Sequence, residues 1–205
     1  NITLGRFLGP QDYGIYGVII TIMTVVNIIQ TNGLPQAISK YVAENENQKD
    51  SVLRSGLILQ VISVIVTTFL FFVFAPFIAK SINDPGLTHY IQTSVFIIPI
   101  YGILALYLGY YNGLRFFKKQ ALMSIVYSLS KIIFVGLLAL SLHLYGVIYA
   151  FILSPLIALF FGLILPRKNV NFPFKKLILF SLPLVGFGLL SNLQYSVDLF
   201  FIKAL

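Results

Sequence analysis

Lys131 lies inside an apolar run, and Gln120, Ser124, Tyr127 and Ser128 share its helical face at about 100° per residue. Thr21, Thr24, Asn27 and Thr31 form a second polar stripe, Gln60, Ser63 and Thr67 a third, and Ser191, Gln194, Tyr195 and Asp198 a fourth. These groups donate and accept hydrogen bonds around isolated charges, which is the chemistry of holding a polar ligand. Small hydroxylated residues also hold helices together in lipid, at about 0.6 kcal/mol each, and that reading accounts for the Ser and Thr residues equally well. A charge is harder to absorb, because a lysine at the bilayer centre costs about 2.5–3.5 kcal/mol on insertion scales. Lys131 must therefore face a water-filled cavity, meet a buried partner or snorkel to an interface. Asp198 lies about 21 residues into its helix, roughly 32 Å along the axis, which places it near the outer boundary. Lys203 is about 140° further around, so the two are not expected to pair. Arg6 is read as an interface anchor or as a cation at a cavity mouth.

The elements that must carry these residues are transmembrane helices. A span needs about 20 mostly apolar residues, and six stretches qualify: 13–30, 57–79, 91–111, 121–142, 145–165 and 177–200. With 58% hydrophobic and only 10% charged residues, a soluble domain would expose large apolar patches. The runs do not alternate with period two, which excludes a barrel. The expected fold is all-α, a polytopic transmembrane helix bundle.

The net charge of +8 does not imply nucleic acid, because ten of the fourteen basic residues fall in alternate turns. Lys40, Lys49 and Arg54 follow the first span, Arg115, Lys118 and Lys119 the third, and Arg167, Lys168, Lys175 and Lys176 the fifth. The positive-inside rule then puts turns 31–56, 112–120 and 166–176 in the cytoplasm. The chain has no cysteine, and it shows no metal-ligand spacing, nucleotide loop or nucleophile motif. His89 and His143 sit apart at outer helix ends. No cofactor is expected, and the short turns leave no room for an enzyme's catalytic loop.

Glycine and proline punctuate the spans. Gly9 can take positive φ past a helix end, and Pro10 stops the helix. Asn32-Gly33-Leu34-Pro35 repeats this, followed by an amphipathic segment, 36–44, expected at the membrane interface. Asn83-Asp84-Pro85-Gly86 reads as a turn. The tight His143-Gly146 turn makes the fourth and fifth spans antiparallel neighbours. Pro99, Pro155 and Pro183 are candidate bends. Asn1 is not a start methionine, and the last helix runs to Leu205 without a stop, so a piece of a larger protein is expected.

Gly5-Arg6-Phe7-Leu8-Gly9-Pro10-Gln11-Asp12-Tyr13-Gly14-Ile15-Tyr16 and Asn32-Gly33-Leu34-Pro35-Gln36-Ala37-Ile38-Ser39-Lys40-Tyr41 resemble the opening of polysaccharide biosynthesis proteins. These are oligosaccharide flippases of the multidrug/oligosaccharidyl-lipid/polysaccharide exporter superfamily. Ser181-Leu182-Pro183-Leu184 through Asp198 resembles the family's seventh helix, although Leu199 stands where a basic residue often follows the acid. The resemblance implies twelve to fourteen spans in two lobes. Residues 1–176 would form the N-terminal lobe, from the end of helix 1 through helix 6, and 177–205 would begin the second. Phe201-Ile202-Lys203-Ala204-Leu205 echoes Leu4-Gly5-Arg6-Phe7-Leu8, as a repeat would.

The implied substrate is a polyprenyl-phosphate-linked glycan, moved by alternating access. Lys131, Arg6 and Lys203 would draw the phosphate. Tyr127, Tyr195, Gln194, Asn27, Ser124 and Ser128 would hydrogen-bond the sugar, and Asp198 would couple transport to H⁺ or Na⁺. The alternative from the same superfamily is a cation or drug exporter.

Overall fold

The computed structural model describes residues 2–167, 170 and 172–204, with side chains described at 9 and between 12 and 192. It is all-helical, with no strand among the described residues: α1 (Ile2–Thr31), α2 (Leu34–Glu44), a short 3-10 turn, α3 (Lys49–Ser81), α4 (Leu87–Ser94), α5 (Ile97–Gly113), α6 (Phe117–Gly162) and α7 (Phe174–Ala204). Five helical stretches are long and apolar enough to cross a membrane. Their outward faces carry exposed Ile65, Phe69, Phe77, Ile132 and Phe160, the side chains expected against lipid.

The punctuation acts where the sequence places it. Gly9 breaks α1 at φ 75° and ψ 170°, a conformation reserved for glycine. Asn83 takes φ 59° after α3, and the Asp84 carboxylate accepts the Gly86 N–H at 3.1 Å. His143 (φ 48°, ψ −127°) interrupts α6. A Cβ on Gly146 would lie 1.9 Å from the Leu138 carbonyl, and one on Gly162 2.2 Å from the Met123 side chain. The two halves of α6 therefore run antiparallel, so the five apolar stretches make six passes.

The structure sharpens three expectations. The third span is broken at Val95–Phe96 into α4 and α5, one turn before Pro99. Pro99 has no N–H to return to that turn, and Ile98 N–H instead makes a tightened bond to Val95 O at 3.0 Å. The basic stretch 31–56 is mostly helical, and Lys175 and Lys176 lie in the first turn of α7. Segment 36–44, expected at the interface, turns its apolar side to protein. It is part of α2, whose Pro35, Ala37, Ile38 and Val42 are buried in a core with Leu53, Leu104, Tyr107, Tyr111 and Leu177.

Two devices fix these positions. Gly109 and Gly113 let the α5 backbone approach α2 so closely that added Cβ atoms would lie 2.3 Å from Pro35 O and 2.6 Å from Ser39 O. This is small-residue packing at four-residue spacing. Higher in the bundle the buried Gln60 amide donates to Gln30 Oε1 at 2.9 Å and to Gly102 O at 3.1 Å, while Gln30 Nε2 donates to Thr67 Oγ1 at 3.2 Å. The network ties α1, α3 and α5 and satisfies amides that lipid could not.

The basic turns converge at one end. Tyr111 Oη donates to Gly162 O at 2.6 Å, Tyr107 Oη to Ile164 O at 2.8 Å, Ser55 Oγ to Phe172 O at 2.9 Å and Asn112 Nδ2 to Ser39 Oγ at 3.0 Å. The opposite end is closed by aromatic packing, with the Tyr90 and Tyr145 rings 4.6 Å apart.

The glycine crossing predicts an asymmetry. Gly109→Ala forces α2 off α5, an overpacking cost of about 1–3 kcal/mol, and should lower the melting temperature in detergent. Gly136→Ala adds its Cβ to open space and should leave stability unchanged or raised. Equal behaviour of the two variants would refute the close crossing.

Candidate functional site

Lys131 sits midway along the first pass of α6, with roughly 20 Å of helix on either side. The helical period sets Tyr127 one turn before it, and the reversal at His143 brings Phe151 from the returning pass to the same level. α1 contributes Ile20, Met23, Thr24 and Asn27, and α5 contributes Ile97 and Tyr101. Together these side chains enclose a cavity of about 230 Å³.

Among the described residues the amine is held by rings. Lys131 Nζ lies 4.2 Å from the Phe151 centroid and 5.7 Å from that of Tyr127, and the Tyr127 ring lies 5.7 Å from that of Tyr101. Each cation–π contact contributes about 0.5–2 kcal/mol, so the two together offset about 1–4 kcal/mol of an insertion cost of about 2.5–3.5 kcal/mol. An ammonium also carries three N–H donors, and among the described residues none of them has an acceptor. Described ion pairs join Lys40 to Glu44 at 3.7 Å and Lys49 to Glu46 at 3.4 Å, both at the basic end.

The walls need partners as well. Asn27 Oδ1 is buried and accepts nothing from the described residues. The Thr24 hydroxyl donates to Ile20 O at 2.8 Å, leaving its lone pairs free. A cation lacking acceptors thus faces an acceptor lacking a donor. A species offering both, such as water or a hydroxyl, satisfies both sides. The volume is below the roughly 300 Å³ of a drug-sized ligand site and equals about eight waters at ~30 Å³ each, so it suits one small polar group.

Of the residues singled out from sequence, the structure brings Lys131, Tyr127, Asn27 and Thr24 together. Ser124 is half-buried and Ser128 exposed, and neither lines the cavity. The side chains of Arg6, Gln194, Tyr195, Asp198 and Lys203 lie outside the described residues. Sequence reasoning missed Phe151 and Tyr101. Phe151 was recoverable by folding the chain at His143, which sets residues near 131 against residues near 155, one helical turn from Phe151. Tyr101 left the weaker signal of a phenol in mid-span.

Comparison with known proteins adds lineage. The family described as polysaccharide biosynthesis protein matches residues 1–205. An uncharacterized membrane protein of Methanocaldococcus jannaschii is 28% identical over 177 residues, covering 83% of this chain and 41% of the relative. Stage V sporulation protein B of Bacillus subtilis is 27% identical over 157 residues, covering 73% of this chain and 30% of the relative. The chain thus spans less than half the length of the curated relatives it matches. No solved structure matches.

A hydrated cavity has a chemical signature. In a full-length protein without other cysteines, Lys131→Cys should react with a small water-soluble thiol reagent, and Ile132→Cys, which is 70% exposed on the lipid side, should not. Reaction at 132 with protection at 131 would reverse the assignment of faces.

Proposed function

We propose that this chain, which belongs to the polysaccharide biosynthesis protein family, is part of a membrane transporter that flips a lipid-linked oligosaccharide or polysaccharide precursor across the cytoplasmic membrane. The substrate is a polyprenyl-phosphate-linked glycan, whose charged and hydrated head is what hydrocarbon excludes. The observation that carries this reading is Lys131, a mid-membrane cation without a carboxylate among the described residues, facing a polar cavity. There the phosphate would accept from Nζ and meet Asn27, Tyr101 and Tyr127, while the prenyl tail stays in lipid.

In this reading residues 1–176 belong to one six-helix lobe, and 177–205 begin a second that faces it. The two lobes rock about the bound head in alternating access, the common plan for repeat-built transporters. The basic end holding turns 31–56, 112–120 and 166–176 faces the cytoplasm, as positive-inside asymmetry requires. Asp198 is the candidate carboxylate for H⁺ or Na⁺ coupling, and Arg6 and Lys203 are further cations for the head. The protein is a carrier rather than an enzyme. A cation or drug exporter fits less well, because a cationic substrate would meet like charge at Lys131.

The test is transport by the full-length protein in vesicles. Wild type should move a fluorescent polyprenyl-diphosphate glycan. Lys131→Ala removes one charge-assisted hydrogen bond, about 1.5–3 kcal/mol, and should slow transport roughly 10- to 150-fold with expression and melting temperature unchanged. Wild-type rates in Lys131→Ala would make the residue structural, and movement of cationic dyes in place of the glycan would favour the exporter.

A further inference from the structure

A second, larger cavity of about 540 Å³ opens between the end of α1, α2, α5 and the start of α6. Its volume falls inside the roughly 300–1,000 Å³ range of organic-ligand sites, whereas the Lys131 cavity falls below it. Its lining is of another kind. Three carboxamides, Gln36, Asn112 and Gln120, stand with the hydroxyls of Thr31 and Ser39 and with Tyr101.

Each carboxamide offers both donors and an acceptor, the pairing that adjacent sugar hydroxyls require. Asn112 donates to Ser39 Oγ at 3.0 Å, and Gln36 donates to Asn32 Oδ1 at 3.4 Å, so these two are oriented and keep further hydrogen-bonding capacity. The half-buried Gln120 side chain makes no hydrogen bond to a described residue. The wall's cation, Lys40, is already engaged: its Nζ is 3.7 Å from Glu44 and 4.2 Å from the Phe180 ring centroid. This cavity is therefore a poor seat for an anion and a good one for a neutral polyhydroxylated group. Tyr101 supplies an aromatic face, whose negative quadrupole attracts the polarised C–H face of a pyranose.

The two cavities are neighbours. Tyr101 lines both, and α1 runs past both, with Asn27 on the smaller and Thr31 on the larger. Those residues are linked by the Thr31 hydroxyl donating to Asn27 O at 2.8 Å, and four residues of helix rise about 6 Å. That is the scale separating a phosphate from the ring it is attached to.

We propose that the larger cavity is a sugar-reading subsite, which holds the first pyranose of a glycosyl diphosphate while the Lys131 cavity holds its phosphate. The assignment rests on the flippase reading above. Recognition of the glycan then lies with Gln120, Asn112, Gln36 and the Tyr101 face, and recognition of charge lies with Lys131.

Binding to the full-length protein in nanodiscs separates the two roles. The probes are a short-chain prenyl diphosphate, bare or carrying one glucose, galactose or N-acetylglucosamine. Wild type should bind at least one glycosylated probe about tenfold tighter than the bare diphosphate, since a site built for hydroxyls penalises their absence. Gln120→Ala should cut that preference about fivefold while holding bare-diphosphate affinity within about twofold. Asn112→Ala repeats the test from a second helix, and Lys131→Ala should weaken all probes alike. A preference that survives both amide variants overturns the subsite, as does a wild type that binds bare and glycosylated probes equally. A wild type that binds none of them overturns the flippase reading along with it.

Discussion

The structure places a primary amine midway along a span-length apolar helix, beside a small cavity. Lys131 has no carboxylate among the described residues, and two aromatic faces offset insertion cost without supplying acceptors for its three N–H donors. In the proposed reading those donors are met by hydration or by a ligand. A cavity lined by Asn27, Thr24, Tyr101 and Tyr127 admits either. A well-paired lysine in a packed core would be inert. In the proposed reading, one left short of acceptors is where a polar ligand binds, beside its polar neighbours.

That arrangement needs walls that hold their positions. The Gln30–Gln60 amide pair fixes α1 against α3 and α5 one turn from Asn27. The Gly109 and Gly113 crossing holds α2 on α5 below it. Tyr107, Tyr111 and Ser55 stitch the stretch before α7 onto the bundle. Each contact joins elements distant in sequence, so the cavity is a property of the assembled lobe and not of one helix.

The sequence was most legible where backbone chemistry is local. Gly9, Asn83 and His143 turn where glycine, proline and polar clusters predict, and the apolar runs mark the passes. Lys131 and Tyr127 were readable as neighbours because the helical period alone relates them. Ser124 and Ser128 were not separable from them on that ground. A stripe about 100° wide straddles the boundary between cavity and lipid, and only the rotation of α6 against α1 decides which half faces in. Phe151 and Tyr101 required the register between passes. The burial of α2 was hidden because amphipathicity shows that a face will be covered without showing whether lipid or protein covers it. The break at Val95 lay one turn upstream of the proline that causes it, as the lost N–H dictates.

The most direct measurement is an experimental structure of the complete protein with a prenyl diphosphate bound. The account predicts phosphate density within hydrogen-bonding reach of Lys131 Nζ, bounded by Asn27 and Tyr127. Density elsewhere, with the Lys131 amine closed off by a carboxylate from the rest of the protein, would contradict it.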